Sequence, residues 1–103
     1  MGAFMIFDIG FKTYSDRSQF EKVFDIKKGK ILVDDKSNSY GFSAWIMKRN
    51  PGLNPIYDFG FMGYEEPKTI LKKCLSNGID IKFFAYIPIN DRNSHWVKLK
   101  GRW

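Results

Sequence analysis

Ile6-Phe7-Asp8-Ile9-Gly10-Phe11 returns fifty residues later as Ile56-Tyr57-Asp58-Phe59-Gly60-Phe61, and Tyr14 falls on Tyr64 at the same offset. Phe20, Lys22 and Val23 then match Ile70, Lys72 and Lys73 inside helix-like stretches that end at Gly29 and Gly78. One residue of slippage later, Ser43-Ala44-Trp45-Ile46 meets Ser94-His95-Trp96-Val97. Landmarks that recur in one order point to an internal repeat. The expectation is a tandem βαββ duplication, with halves 1–50 and 54–103 joined by the turn-rich hinge Asn50-Pro-Gly-Leu-Asn-Pro55.

Local signals support that outline. Residues 3–12 alternate, with Met5, Phe7, Ile9 and Phe11 on one face and Ile6, Asp8, Gly10 and Lys12 on the other, as a half-buried strand requires. Asp16 followed by Gln19 is a helix-start signature, and Lys27-Lys28-Gly29 is a stop, so a helix with Phe20, Val23 and Phe24 as its apolar face is expected between them. Strands follow at Ile31 to Val33 and Tyr40 to Met47, around a Lys36-Ser-Asn-Ser39 turn. In the second half Tyr57, Phe59 and Phe61 face inward from the first strand. Pro67 opens a helix with the stripe Ile70, Leu71, Cys74 and Leu75, and Asn77-Gly78 closes it.

A hairpin of 79–89 and 94–103 completes the chain. Pairing residues whose numbers sum to 184 sets Ile87 opposite Val97 and Ala85 opposite Leu99, all inward. The outer face of that register carries Lys82 with Arg102, Phe84 with Lys100, and Tyr86 with Lys98. The fold class this order implies is α+β: one domain over 1–103, a mainly antiparallel sheet with two helices on one face, or a half-closed barrel as the alternative.

Composition bounds the function. The chain of 103 residues is 44% apolar and 17% aromatic, enough for one core without a metal or a disulfide. Cys74 is the single cysteine, no run is long enough to span a membrane, and the opening does not read as a secretory signal, so a cytoplasmic location is expected. The net charge of +6 is uneven: residues 1–67 hold nine Lys/Arg against nine Asp/Glu, and 68–103 hold eight against two. Such an excess attracts polyanions or acidic protein surfaces.

No P-loop, dinucleotide fingerprint, Cys/His metal spacing or nucleophile elbow is present, so neither a cofactor nor a metal is expected. Asp8 and Asp58 could form a carboxylate pair if the two halves brought them together, but they have no third acidic or His companion at ligand spacing. Cys74 sits on an apolar stripe and reads as an inert thiol.

The expected site is the helix-free sheet face. There Trp45, Phe84, Tyr86 and Trp96 interleave with Lys82, Lys98, Lys100 and Arg102, a mixture suited to stacking on bases and contacting phosphates. Each Trp is also suited to covering the strand glycine of its own half, Gly10 or Gly60. The function expected is a small non-enzymatic binding protein, with inhibition as one use, that engages nucleic acid or a nucleic-acid-handling complex. Two alternatives stand beside it. One is a dedicated inhibitor of a protein, of the immunity or counter-defence kind. The other is a small metal-independent ribonuclease with His95 as general base. A second copy of the chain is a further candidate partner.

Overall fold

The computed structural model of the chain describes residues 5–32, 41–49 and 56–102. Its elements are β1 (Phe7–Thr13), α1 (Arg17–Glu21), β2 (Phe24–Asp25), β3 (Lys30–Ile31), β4 (Gly41–Arg49), β5 (Ile56–Gly63), α2 (Pro67–Ser76), β6 (Ile81–Pro88) and β7 (Val97–Lys100). The expected Lys36–Ser39 turn, Val33 and the 50–55 hinge lie outside the described residues.

The alternating run that opens the chain becomes the central strand of a five-stranded antiparallel sheet, ordered β4-β5-β1-β6-β7. Phe7, Ile9, Phe11 and Thr13 are buried on one face, as period-two alternation demands. Their cross-strand partners share that face: Phe11 stands opposite Phe59 on β5 and Phe84 on β6, and Ile9 opposite Phe61 and Tyr86. The fold is α+β, with both helices and the small β2–β3 sheet packed on this face.

Phenylalanine rings make the core. Phe11 stacks on Phe59 at 4.6 Å and on Phe84 at 5.5 Å, Phe20 of α1 stacks on Phe59 at 5.4 Å, and Phe24 of β2 reaches Phe59 at 4.6 Å. Each fully buried ring contributes about 1.5–3 kcal/mol through apolar area removed from water, plus a smaller edge or stacking term.

The first helix is shorter than its stop signal implies. Asp16 caps it as expected, its carboxylate accepting the Gln19 N–H, and the hydrogen bonds from Ser18 and Gln19 hold the carboxyl below its ordinary range. The helix ends at Glu21. From there Val23 and Phe24 enter the core on extended chain, Phe24 pairs with Ile31, and the Leu32 N–H donates to the Val23 carbonyl. Lys27-Lys28-Gly29 therefore turns a short hairpin instead of ending a helix. Gly29 has φ +62°, and a Cβ there would press on the backbone of Gly41 and Ser43 in β4, so both conformation and space call for glycine.

The second helix matches its sequence more closely, with Pro67 at its start and Asn77-Gly78 at its end. Pro67, Ile70 and Cys74 are buried and Leu71 is partly buried, but Leu75 is 47% exposed, against expectation. The line of contact runs along positions 67, 70 and 74, which leaves residue 75 turned past its edge in the last turn.

The two halves differ in element order. The second runs β5-α2-β6-β7, whereas the first places a two-stranded hairpin between α1 and β4, so the structure does not establish the expected βαββ duplication. What it does contain is a local twofold relation. Gly10 stands opposite Gly60, the fourth of the seven pairs joining β1 to β5, and the outward neighbours β6 and β4 flank that pair on either side.

Candidate ligand groove on the helix-free face

Side chains that point away from the core form rows across the sheet. The central row reads Trp45, Gly60, Gly10, Ala85 and Lys98 from β4 to β7. The row beside it reads Met47, Asp58, Lys12 and Phe83, and the row on the other side Ser43, Met62, Asp8 and Ile87. No described helix covers these rows.

The twofold relation is broken in the central row. Beside Gly60 stands Trp45, whose indole occupies the space a Cβ on Gly60 would need. Beside Gly10 stands Ala85, and a Cβ on Gly10 would meet nothing within 4 Å. A small floor with a tall neighbour makes a groove. It has a volume of about 310 Å³, is walled by Trp45 and Trp96, and is bounded at one end by Phe83, Lys12 and Asp58. That volume sits at the small end of ligand pockets, about 300–1,000 Å³.

Lys12 and Asp58 are direct cross-strand partners, with the Lys12 Nζ 4.0 Å from Asp58 Oδ1. A second, basic groove shares Lys12 and Phe83 with the first and is lined also by Lys82, Gly101 and Arg102. Gly101 builds its far wall: φ is +89°, and a Cβ there would run into the Lys82 carbonyl oxygen, so the chain crosses tightly over β6 and sets Arg102 near Lys82. The Lys82 ammonium also lies 5.6 Å from the centre of the Tyr14 ring.

The expected site is thus partly assembled. Trp45, at 48% exposure, and Trp96, at 45%, line the groove, and Lys82 and Arg102 line its basic extension. Trp45 covers the glycine of the other half, not Gly10 of its own. Lys98 ends the central row on the edge strand, and Lys98 and Lys100 are both exposed.

Two expected members belong elsewhere. Phe84 is fully buried in the core, and Tyr86 is on the core face with its ring edge-on to Phe7 at 5.8 Å. The hairpin register explains the correction. Phe84 does pair with Lys100, but a bulge follows, so Ala85 meets Lys98 and Tyr86 meets Val97. The facing of β6 is set by β1, where Phe11 and Ile9 require Phe84 and Tyr86 beside them in the core. Phe83 takes the outward place, and the tandem Phe83-Phe84 conceals from sequence which ring faces out. Val97, expected inward, is 41% exposed.

The remaining candidates do not converge. Asp8 and Asp58 lie in rows on either side of the glycine pair, four residues apart along the strand and so roughly 13 Å from each other. That is too far to share a metal or a proton. Partial burial pushes the Asp8 carboxyl above its ordinary range. His95, the candidate general base, is exposed. Among the described residues no three His, Cys, Asp or Glu are grouped to hold a metal, and no helix is long and apolar enough to cross a membrane. Cys74 is buried, and desolvation pushes its thiol up to about 12. No protein-family model, curated protein or solved structure matches the chain.

Proposed function

We propose that this chain is a small non-enzymatic binding protein whose helix-free sheet face engages single-stranded nucleic acid, alone or within a nucleic-acid-handling complex. One observation carries the reading: an aromatic groove and a basic groove share Lys12 and Phe83 as a common wall. Bases offer a π face to aromatic side chains and phosphates offer charge to cations, so single strands favour surfaces that present both side by side. The charge excess after residue 67 acts in the same direction.

The test is binding of a labelled single-stranded DNA or RNA oligonucleotide at several salt concentrations. Affinity should fall linearly with salt on logarithmic axes, with a slope that counts phosphate contacts. An oligonucleotide that does not bind at low salt sinks the reading. A second reading, inhibition of a protein partner, draws on exposed Met47 beside Trp45 at the β4 edge, an apolar patch of the kind that anchors protein interfaces. A one-to-one complex with a host protein that persists after nuclease treatment and at high salt would favour it.

A further inference from the structure

We infer that the groove over Gly10 is a subsite for one unstacked nucleotide, its base in the aromatic groove and its phosphate in the basic extension beside it. This rests on the proposed nucleic-acid reading and narrows it, because the broader proposal requires only a sticky face. The geometry is more selective than that. The sheet offers two equivalent glycines, yet Trp45 fills the space over Gly60 and leaves Gly10 bare. One cleft results where the twofold relation would allow two.

The occupant follows from the lining. Gly10 and Ala85 give a flat floor about two strands wide, roughly 10 Å, with indoles to either side and Phe83 at the end. A flat, rigid, aromatic group suits this shape. At the Phe83 end the Lys12 ammonium, 4.0 Å from the solvent-shielded Asp58 Oδ1, places an exposed donor. Base edges present carbonyl and ring-nitrogen acceptors to such a donor.

Immediately beyond are Lys82 and Arg102, and among the described residues no carboxylate lines that extension. An anion attached to the flat group is therefore expected there. An aromatic heterocycle bearing a phosphate a few bonds away is a nucleotide. The footprint is a single unit, so a free mononucleotide should occupy it as well as one base of a strand.

The experiment titrates the full chain with adenosine and uridine monophosphates, their nucleosides and inorganic phosphate, using isotope-edited NMR or calorimetry, with competition against a bound oligonucleotide. Monophosphates should bind and displace the oligonucleotide, more tightly than either the nucleosides or inorganic phosphate. Gly10→Val should weaken monophosphate binding by about ten- to a hundredfold, the loss expected when a stacked base is excluded. The fold should survive, since a side chain at position 10 meets open space. Trp96→Ala removes a wall without filling the groove and should weaken binding similarly.

Inorganic phosphate binding as well as the monophosphates would reduce the site to an anion site and overturn the inference. Unchanged monophosphate affinity in Gly10→Val would do the same. If the oligonucleotide binds with its salt dependence intact while Gly10→Val has no effect, the face reading stands and the single-nucleotide subsite falls. If no oligonucleotide binds, both fall.

Discussion

The indole of Trp45 lies where a side chain on Gly60 would go, so a glycine of β5 and a large exposed residue of the neighbouring edge strand form one packed unit. Gly60→Ala must push Trp45 aside. It should destabilise the chain by about 1–3 kcal/mol, the usual cost of forcing atoms into occupied space. Gly10→Ala, in the opposite strand, meets no atom and should be neutral or stabilising by up to about 1 kcal/mol, because alanine loses less backbone freedom on folding. Urea denaturation midpoints compare the two directly. Equal effects would show that Trp45 does not rest on Gly60.

The reassignment of β6 makes a stability prediction that separates the two possible facings. Phe84→Ala should cost about 3–5 kcal/mol, the range for emptying a core aromatic site. Phe83→Ala and Leu75→Ala remove partly or largely exposed groups and should cost far less, within about 0.5 kcal/mol for Leu75. A Phe83 variant less stable than its Phe84 counterpart would reverse the strand.

Lys98 and Lys100 are exposed on the edge strand, Lys98 at the end of the central row. If each contacts one phosphate, the double variant Lys98→Ala with Lys100→Ala should lower the salt slope by roughly 1.4–1.8 in all. Trp96→Ala should weaken binding at every salt concentration by about 1–3 kcal/mol and leave the slope unchanged. Circular dichroism should show both variants folded. Should both retain full affinity, this face is not the binding surface.

Cys74 supplies a pH prediction. Its thiol is held near 12 in the folded chain, against about 8.5 when unfolded. The folded state therefore binds the proton more tightly, so the contribution is fully present below about pH 8.5 and is lost as the pH rises from there towards 12. Stability should fall across that window more in the parent than in Cys74→Ala. Alkylation at pH 8 should be slow in native buffer and fast in denaturant. Rapid labelling of the native chain would show an accessible thiol.

Much of this was legible in the sequence because it depends on local spacing. Alternation placed Phe7, Ile9 and Phe11 on the core face of β1, the Asp16–Gln19 pair located the start of α1, and Pro67 and Asn77-Gly78 bracketed α2. The lining of the two grooves was legible in part: Trp45, Trp96, Lys82 and Arg102 belong to it, but Phe84 and Tyr86 do not. Lys12 and Phe83 join the lining although neither stood out as a site residue. Lys12 had the right parity, and Phe83 was hidden by the adjacent Phe84.

The sequence by itself determined the α+β class, the residues on the core face of β1 and the aromatic material of the core, because periodicity and capping act over a few residues. Only the tertiary structure decided which ring of Phe83-Phe84 faces out, where the β6–β7 ladder bulges, and which glycine Trp45 covers. Those outcomes depend on partners dozens of residues away. β1 imposes its own face on β6, and β4 pairs with β5 instead of with the first strand of its own half. That crossed pairing brings Trp45 onto Gly60 and Ala85 beside Gly10, and so opens a single groove in a sheet whose central strands carry the same motif twice.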